Sequence, residues 1–263
     1  VTELFQDRPH LEVNLFDALH RGNPQDTAFY RRVCRNAQGV LELGCGSGRI
    51  LRSLRTSEGR RVGVDLDRPR LARAQSLDES SICSWIRASM PCLPFRKHSF
   101  SHVLIPFNAL FCLLTIQDLT RCLREVHRLL TPNGSLYFDV YQAETASSSE
   151  APVEDDAEDE NGFFWIEQIE VQGVLFDVFE RDQPHSRHGR IDVVYRFVPQ
   201  GAEENLPATS EIEIAHCFRA KEEIDIHLRD TGFDVLECWG GFLGQTWSEH
   251  SEMMVYKASP ATP

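Results

Sequence analysis

The sequence predicts a doubly wound α/β fold, a mostly parallel sheet with helices on both faces, into which an antiparallel β layer is inserted late in the chain. Three observations predict it. Short apolar runs alternate with helical spacings from residue 40 to residue 141, the order that builds a parallel sheet. A glycine-rich turn, Gly44-Cys45-Gly46-Ser47-Gly48, joins the first apolar run to the first core helix. From residue 163 to 218 the apolar period falls to two, the signature of half-buried strands. The resulting partition is a helical cover over 1–39, a ligand-binding core over 40–141, an acidic flexible loop over 142–162, an antiparallel lid over 163–218 and a completion of the core over 219–263.

In the cover, Leu11, Leu15, Phe16 and Leu19 fall at helical spacing, Gly22-Asn23-Pro24 breaks the pattern, and Asp26 or Thr27 caps a second helix with Phe29, Tyr30 and Val33. Val40, Leu41 and Leu43 then read as a buried strand. Glycine at 44, 46 and 48 permits positive φ and lets a ligand approach bare backbone, beside the unpaired N–H groups that open the following helix. Residues 61–67 give a second strand ending in a carboxylate, Asp65, and Pro69 starts a helix. Residues 82–86 give a third strand, 100–105 a fourth, and Leu119, Cys122, Leu123, Val126 and Leu129 a helix that Pro132-Asn133-Gly134 closes before a fifth strand over 135–141. Seven of the eleven residues from Glu150 to Glu160 are acidic, so that run reads as a solvated loop. Beyond the four lid strands, residues 221–230 read as a helix and 234–239 and 252–257 as closing strands.

The run Leu41-Glu42-Leu43-Gly44-Cys45-Gly46-Ser47-Gly48 resembles the first motif of the class I methyltransferases that use S-adenosylmethionine (SAM). A dinucleotide fingerprint would want a third glycine where Arg49 stands, which argues against NAD. The resemblance implies a seven-stranded Rossmann-like sheet whose last strand enters antiparallel, with SAM bound and S-adenosylhomocysteine released. It also implies that Asp65 grips the ribose hydroxyls, with Glu42, Gly44, Cys45, Gly46, Gly48 and Leu66 lining the cofactor. Asp26, Phe29 and Tyr30 match a family run that folds over the cofactor, with Tyr30 the ligand of that run. Ala88, Ser89 and Met90 stand where the family contacts adenine, Ser89 replacing the usual aspartate and making a weaker, uncharged contact. Pro106 and Phe107 end the fourth strand beside the transferable methyl group, and Asn108 is a substrate-contacting residue or a turn former.

Composition limits the partner. With 27 Lys and Arg against 40 Asp and Glu, the net charge is −13, which repels polyanions and speaks against nucleic acid. No stretch of about 18 apolar residues suits a bilayer, and the first residues lack the basic-then-apolar order of a secretory leader. The expectation is a cytoplasmic protein acting on a small molecule without a membrane. The eight cysteines never form Cys-x-x-Cys and read as reduced core residues, with no metal site.

Since a sulfonium makes its methyl group electrophilic, the chain need only align an N or O nucleophile and, where required, remove a proton. His216 on a lid strand and His250 beside Trp247 are the candidate bases, each weighed against a place in the core or in solvent. Tyr195 and Trp247 are candidates for the acceptor pocket. A partly exposed edge of the inserted sheet also offers a homodimer contact. The rival reading is a noncatalytic SAM-binding regulatory or scaffold module.

Overall fold

A computed structural model of the chain describes residues 8–54, 59–79, 81–142, 159, 161–185, 189–201 and 207–261. It divides into two compact units, Val1–Arg21 with Ser148–Cys217 and Gly22–Ser147 with Phe218–Pro263. Most of the acidic run lies outside the described residues.

The larger unit is built on a seven-stranded sheet. Its elements are α2 (Asp26–Val33), β1 (Gly39–Leu43), α3 (Arg49–Ser53), β2 (Arg60–Asp65), α4 (Arg68–Leu77), β3 (Cys83–Arg87), β4 (Phe100–Ile105), α5 (Ile116–Leu129), β5 (Leu130–Tyr141), α6 (Lys221–Asp230), β10 (Phe233–Trp239) and β11 (Met253–Pro260). The strand order is β10-β11-β5-β4-β1-β2-β3. Strands β1 to β5 run parallel, while β11 lies antiparallel to both β5 and β10. Every residue of β1 is buried, as a central strand covered on both faces requires. Asp67 caps α4 by accepting from the Arg70 N–H with Pro69 in the first turn, and Thr115 caps α5 by accepting from the Asp118 N–H. The buried stripe of α5, Leu119, Cys122, Leu123, Val126 and Leu129, belongs to the main core with Leu41, Val103, Phe138 and Tyr256. The strand expected to start at Ser135 starts at Leu130, because the pairing with β4 absorbs the Pro132-Asn133-Gly134 break as an irregularity between Phe100 and His102.

The smaller unit is an antiparallel meander, β6 (Phe164–Val171), β7 (Val174–Pro184), β8 (Arg190–Pro199) and β9 (Ser210–Cys217), with α1 (Arg8–Leu19) on one face. Leu11 and Leu15 of α1 pack with Ile169, Val171, Phe176, Val178 and Phe197. The expected cover over 1–39 therefore divides at Gly22: α1 clusters with the antiparallel sheet, and α2 with the parallel one. An apolar helical stripe declares that a face is buried and is silent about its partner. None of the eight cysteines forms a disulfide. Cys34, Cys45, Cys122 and Cys217 are buried, whereas Cys92 and Cys112 are exposed rather than in the core. Among the described residues no helix is long and apolar enough to cross a membrane, and no three metal-ligating side chains converge.

Candidate cofactor site

Strand order reverses between β1 and β4, so the turns that leave their carboxyl ends part there and open the crevice where open α/β sheets take ligands. All three loop glycines have positive φ: 69° at Gly44, 51° at Gly46 and 78° at Gly48. Two are demanded by packing. A Cβ at Gly44 would lie 2.8 Å from the Ala109 methyl, and one at Gly48 would lie 2.3 Å from the Trp85 ring. A Cβ at Gly46 would meet nothing within 4 Å, so this glycine borders open space. The Gly46 N–H donates to Asp65 Oδ2 at 2.7 Å, and Asp65 Oδ1 accepts from the Asp67 N–H at 2.9 Å. Beside that carboxylate Leu66 is 60% exposed, an apolar side chain in the open at a strand end. The Asp65 carbonyl accepts from the Ala88 N–H, and Ser89 bridges to Cys92, which brings the third segment to the same edge. Met90 Cε would lie 3.0 Å from a Cβ at Gly44. Gly44, Gly46, Gly48, Asp65, Leu66, Ala88, Ser89 and Met90 thus gather on adjacent strand ends. A bare-backbone cradle, a carboxylate and an exposed apolar side chain suit a nucleoside-like ligand with ribose hydroxyls.

Several other sequence candidates are buried. Glu42 is buried, and its Oε2 accepts from the Leu51 N–H at 2.9 Å. Burial pushes its carboxyl up to about 8, against the lowering effect of that hydrogen bond and of Arg49. Cys45 is buried, with its N–H donating to the Val64 carbonyl. Tyr30 is buried to 0% exposure and its hydroxyl donates to Asp139 Oδ1. Asn108 is also buried, and its Oδ1 accepts from the Tyr141 N–H at 2.7 Å, the contact of a turn former.

Asp139 carries no motif that marks it in the sequence. This buried carboxylate on β5 receives the Tyr30 hydroxyl, the Phe107 N–H at 3.0 Å and the Asn23 amide at 3.5 Å. Burial pushes it up to about 6. Its signal was a lone acid inside the apolar run Leu136-Tyr137-Phe138-Asp139-Val140. Phe107 and Asn108, directly after the buried Pro106, have φ of 54° and 60°, two successive left-handed residues that are not glycine. Arg49 completes the arrangement. Its guanidinium meets both oxygens of buried Asp26, at 2.9 and 2.6 Å, and lies 5.7 Å from the Phe107 ring centroid.

The candidate bases and acceptor residues are carried by other elements. His216 on β9 is opposite Ile191, and burial lowers its pKa, keeping it neutral at pH 7. Tyr195 on β8 is opposite Glu180 and stands edge-on to His20 in the smaller unit. In the larger unit, between β10 and β11, His250 is exposed, while Trp247 donates its indole N–H to Gln142 Oε1 at 2.8 Å.

Residues 40–134 match a family described as a methyltransferase domain. A 2-phytyl-1,4-naphtoquinone methyltransferase of Nostoc sp. is 36% identical over 101 residues, covering 36% of this chain and 42% of that protein. The chain spans less than half the length of most of the curated relatives it matches. Among solved structures, a S-adenosylmethionine-dependent methyltransferase from Clostridium acetobutylicum superposes with a TM-score of 0.77 at 16% identity, over 94% of this chain and 97% of that one. The sugar N-methyltransferase KedS8 from Streptoalloteichus sp. superposes with a TM-score of 0.68 at 17% identity, over 94% and 93%.

Proposed function

We propose that this chain, which matches a methyltransferase domain over residues 40–134 and shares the fold of SAM-dependent methyltransferases, transfers the methyl group of SAM to nitrogen or oxygen of a small-molecule acceptor. The observation that carries the reading is the Gly46–Asp65 pair, an open backbone cradle beside a carboxylate at the switch point of a parallel sheet. Gly44, Gly46 and Gly48 would take the cofactor's amino-acid end, Asp65 the ribose hydroxyls, and Leu66, Ala88, Ser89 and Met90 the adenine. SAM supplies an electrophilic methyl group when bound, and the chain's own work is to orient, to exclude water and, for some acceptors, to accept a proton.

A base is optional for this chemistry; His216 and His250 are the candidates, and pH–rate profiles of His216→Ala and His250→Ala with an accepted acceptor test each of them. Likeness to a sugar N-methyltransferase supports a polar small acceptor bearing an amine or hydroxyl. The net charge of −13 supports a partner other than nucleic acid, and the reading includes a cytoplasmic location. A second copy would pair along the edge of the antiparallel sheet, which sedimentation tests.

The deciding experiment is calorimetric titration of SAM, S-adenosylhomocysteine and NAD into wild type and Asp65→Ala. We expect micromolar SAM binding that is lost in the variant, and no NAD binding. Tight NAD binding, or SAM affinity indifferent to Asp65, would overturn the reading. SAM held without methyl loss across many acceptors would favour a noncatalytic module.

A further inference from the structure

The turn after β4 is held in a conformation that Phe107 resists, and one acidic residue holds it. Phe107 adopts left-handed φ, as does Asn108, a residue type that tolerates it. The Asp139 side chain accepts the Phe107 N–H and the Asp139 carbonyl accepts the Asn108 N–H at 3.1 Å. Asn108 in turn clamps the Tyr141 N–H, two residues along β5 from Asp139. On its other side Asp139 takes the Tyr30 hydroxyl from α2, and α2 is tied to the helix after the glycine loop through Asp26 and Arg49. The turn reaches the cofactor loop itself: Ala109, next in the chain, is the atom a Cβ at Gly44 would strike.

We propose that Asp139 is a positioning residue for methyl transfer, its carboxylate locking the Phe107-Asn108 turn and Tyr30 together so that the end of β4 faces the cofactor loop. The inference rests on the cofactor reading above. Three donors converge on Asp139, the pattern of an ionised carboxylate. Oδ2 faces the Phe107 N–H and the Asn23 amide, which only donate, so a proton on Asp139 must sit on Oδ1 and force the Tyr30 hydroxyl to turn and accept instead. The charged groups facing Asp139 are Asp26 on α2, which opposes its ionisation, and Arg49 on α3, which supports it.

Acidification then pulls affinity and stability in opposite directions. Burial raises the Asp139 pKa from 3.8 to about 6, so its contribution to stability is full below the unfolded value and is lost as pH rises through about 6. SAM affinity should instead fall as pH drops through about 6. A purely structural role would move both the same way.

The test compares wild type, Asp139→Asn and Tyr30→Phe, each checked for folding by its melting temperature. Amide exchange at Phe107, read by NMR without ligand, should accelerate about tenfold in Asp139→Asn. SAM binding by Asp139→Asn at pH 8 should be weakened about tenfold and should no longer change between pH 5 and 8. Tyr30→Phe should lose most of the pH dependence. A folded Asp139→Asn with unaltered Phe107 exchange, or with wild-type SAM affinity at every pH, overturns the proposal. If wild type binds no SAM, the cofactor reading fails, and the exchange measurement still decides whether Asp139 holds the turn.

Discussion

Each glycine of the 44–48 loop meets a different neighbour, so the same substitution should do different things at each. At Gly48 a methyl would enter the Trp85 ring at a φ of 78°. Left-handed strain and overpacking together should cost about 3 kcal/mol, and Gly48→Ala should lower the urea midpoint sharply. At Gly46 the methyl would project into open space, so Gly46→Ala should cost only about 1 kcal/mol of backbone strain. It should nevertheless lose SAM binding, because the methyl occupies the cradle. Equal stability losses in the two variants, or intact SAM affinity in Gly46→Ala, would count against this division of labour. Glu42 obeys a separate logic. Its carboxyl, raised by burial from 4.5 to about 8, contributes stability below the unfolded value that is lost as pH rises through about 8. Gln at 42 keeps an oxygen for the Leu51 N–H and avoids the buried charge. Glu42→Gln should therefore melt higher than wild type at pH 9, by a margin that closes toward pH 5, as a series of melting curves will show.

Between elements, the pair that matters is α2 against α3. Neither helix is long, and five-residue α3 has little stability of its own; Asp26 and Arg49 join them. Asp26 is buried, so Arg49→Ala leaves a charge without its partner and should destabilise by roughly 3 kcal/mol, while Arg49→Ala with Asp26→Ala should recover part of the loss. Full additivity in that cycle would show the two to be uncoupled. In the sequence, Arg49 was visible only as the residue that spoils a dinucleotide fingerprint. The parallel strands, the glycine loop and Asp65 were legible because they depend on local signals: apolar runs, positive-φ glycines and a carboxylate at a strand end. Three features were not. That α1 belongs to the antiparallel sheet is invisible in its own spacing. That the Tyr30 hydroxyl and the Asn108 N–H both meet Asp139 depends on one acid on β5, more than a hundred residues from Tyr30 in the chain. Pairings at that separation leave no periodic trace in a single sequence.

At the scale of the molecule, the seven-stranded sheet is completed only by the end of the chain. β5 ends at Tyr141, and its partner β11 begins at Met253, after the four antiparallel strands have intervened. Phe138 of β5 stacks on Tyr256 of β11 at 4.6 Å, so this late strand belongs to the same core as the strands that carry the glycine loop and Asp65. A ligand held at the ends of β1 and β2 should therefore protect residues far from it in sequence. At one hundred times its Kd, SAM should stabilise the native state by about 2.7 kcal/mol. Amides that exchange only through global opening of the sheet should slow by the corresponding factor, about one hundred. Hydrogen exchange followed by mass spectrometry should find that slowing in peptides of β1, β4, β5 and β11 alike, and none of it with NAD. Slowing restricted to the 44–48 loop would mean that SAM orders its own contacts without engaging the sheet as a unit. The late pairing of β11 with β5 would then be a separate, weaker layer of the fold.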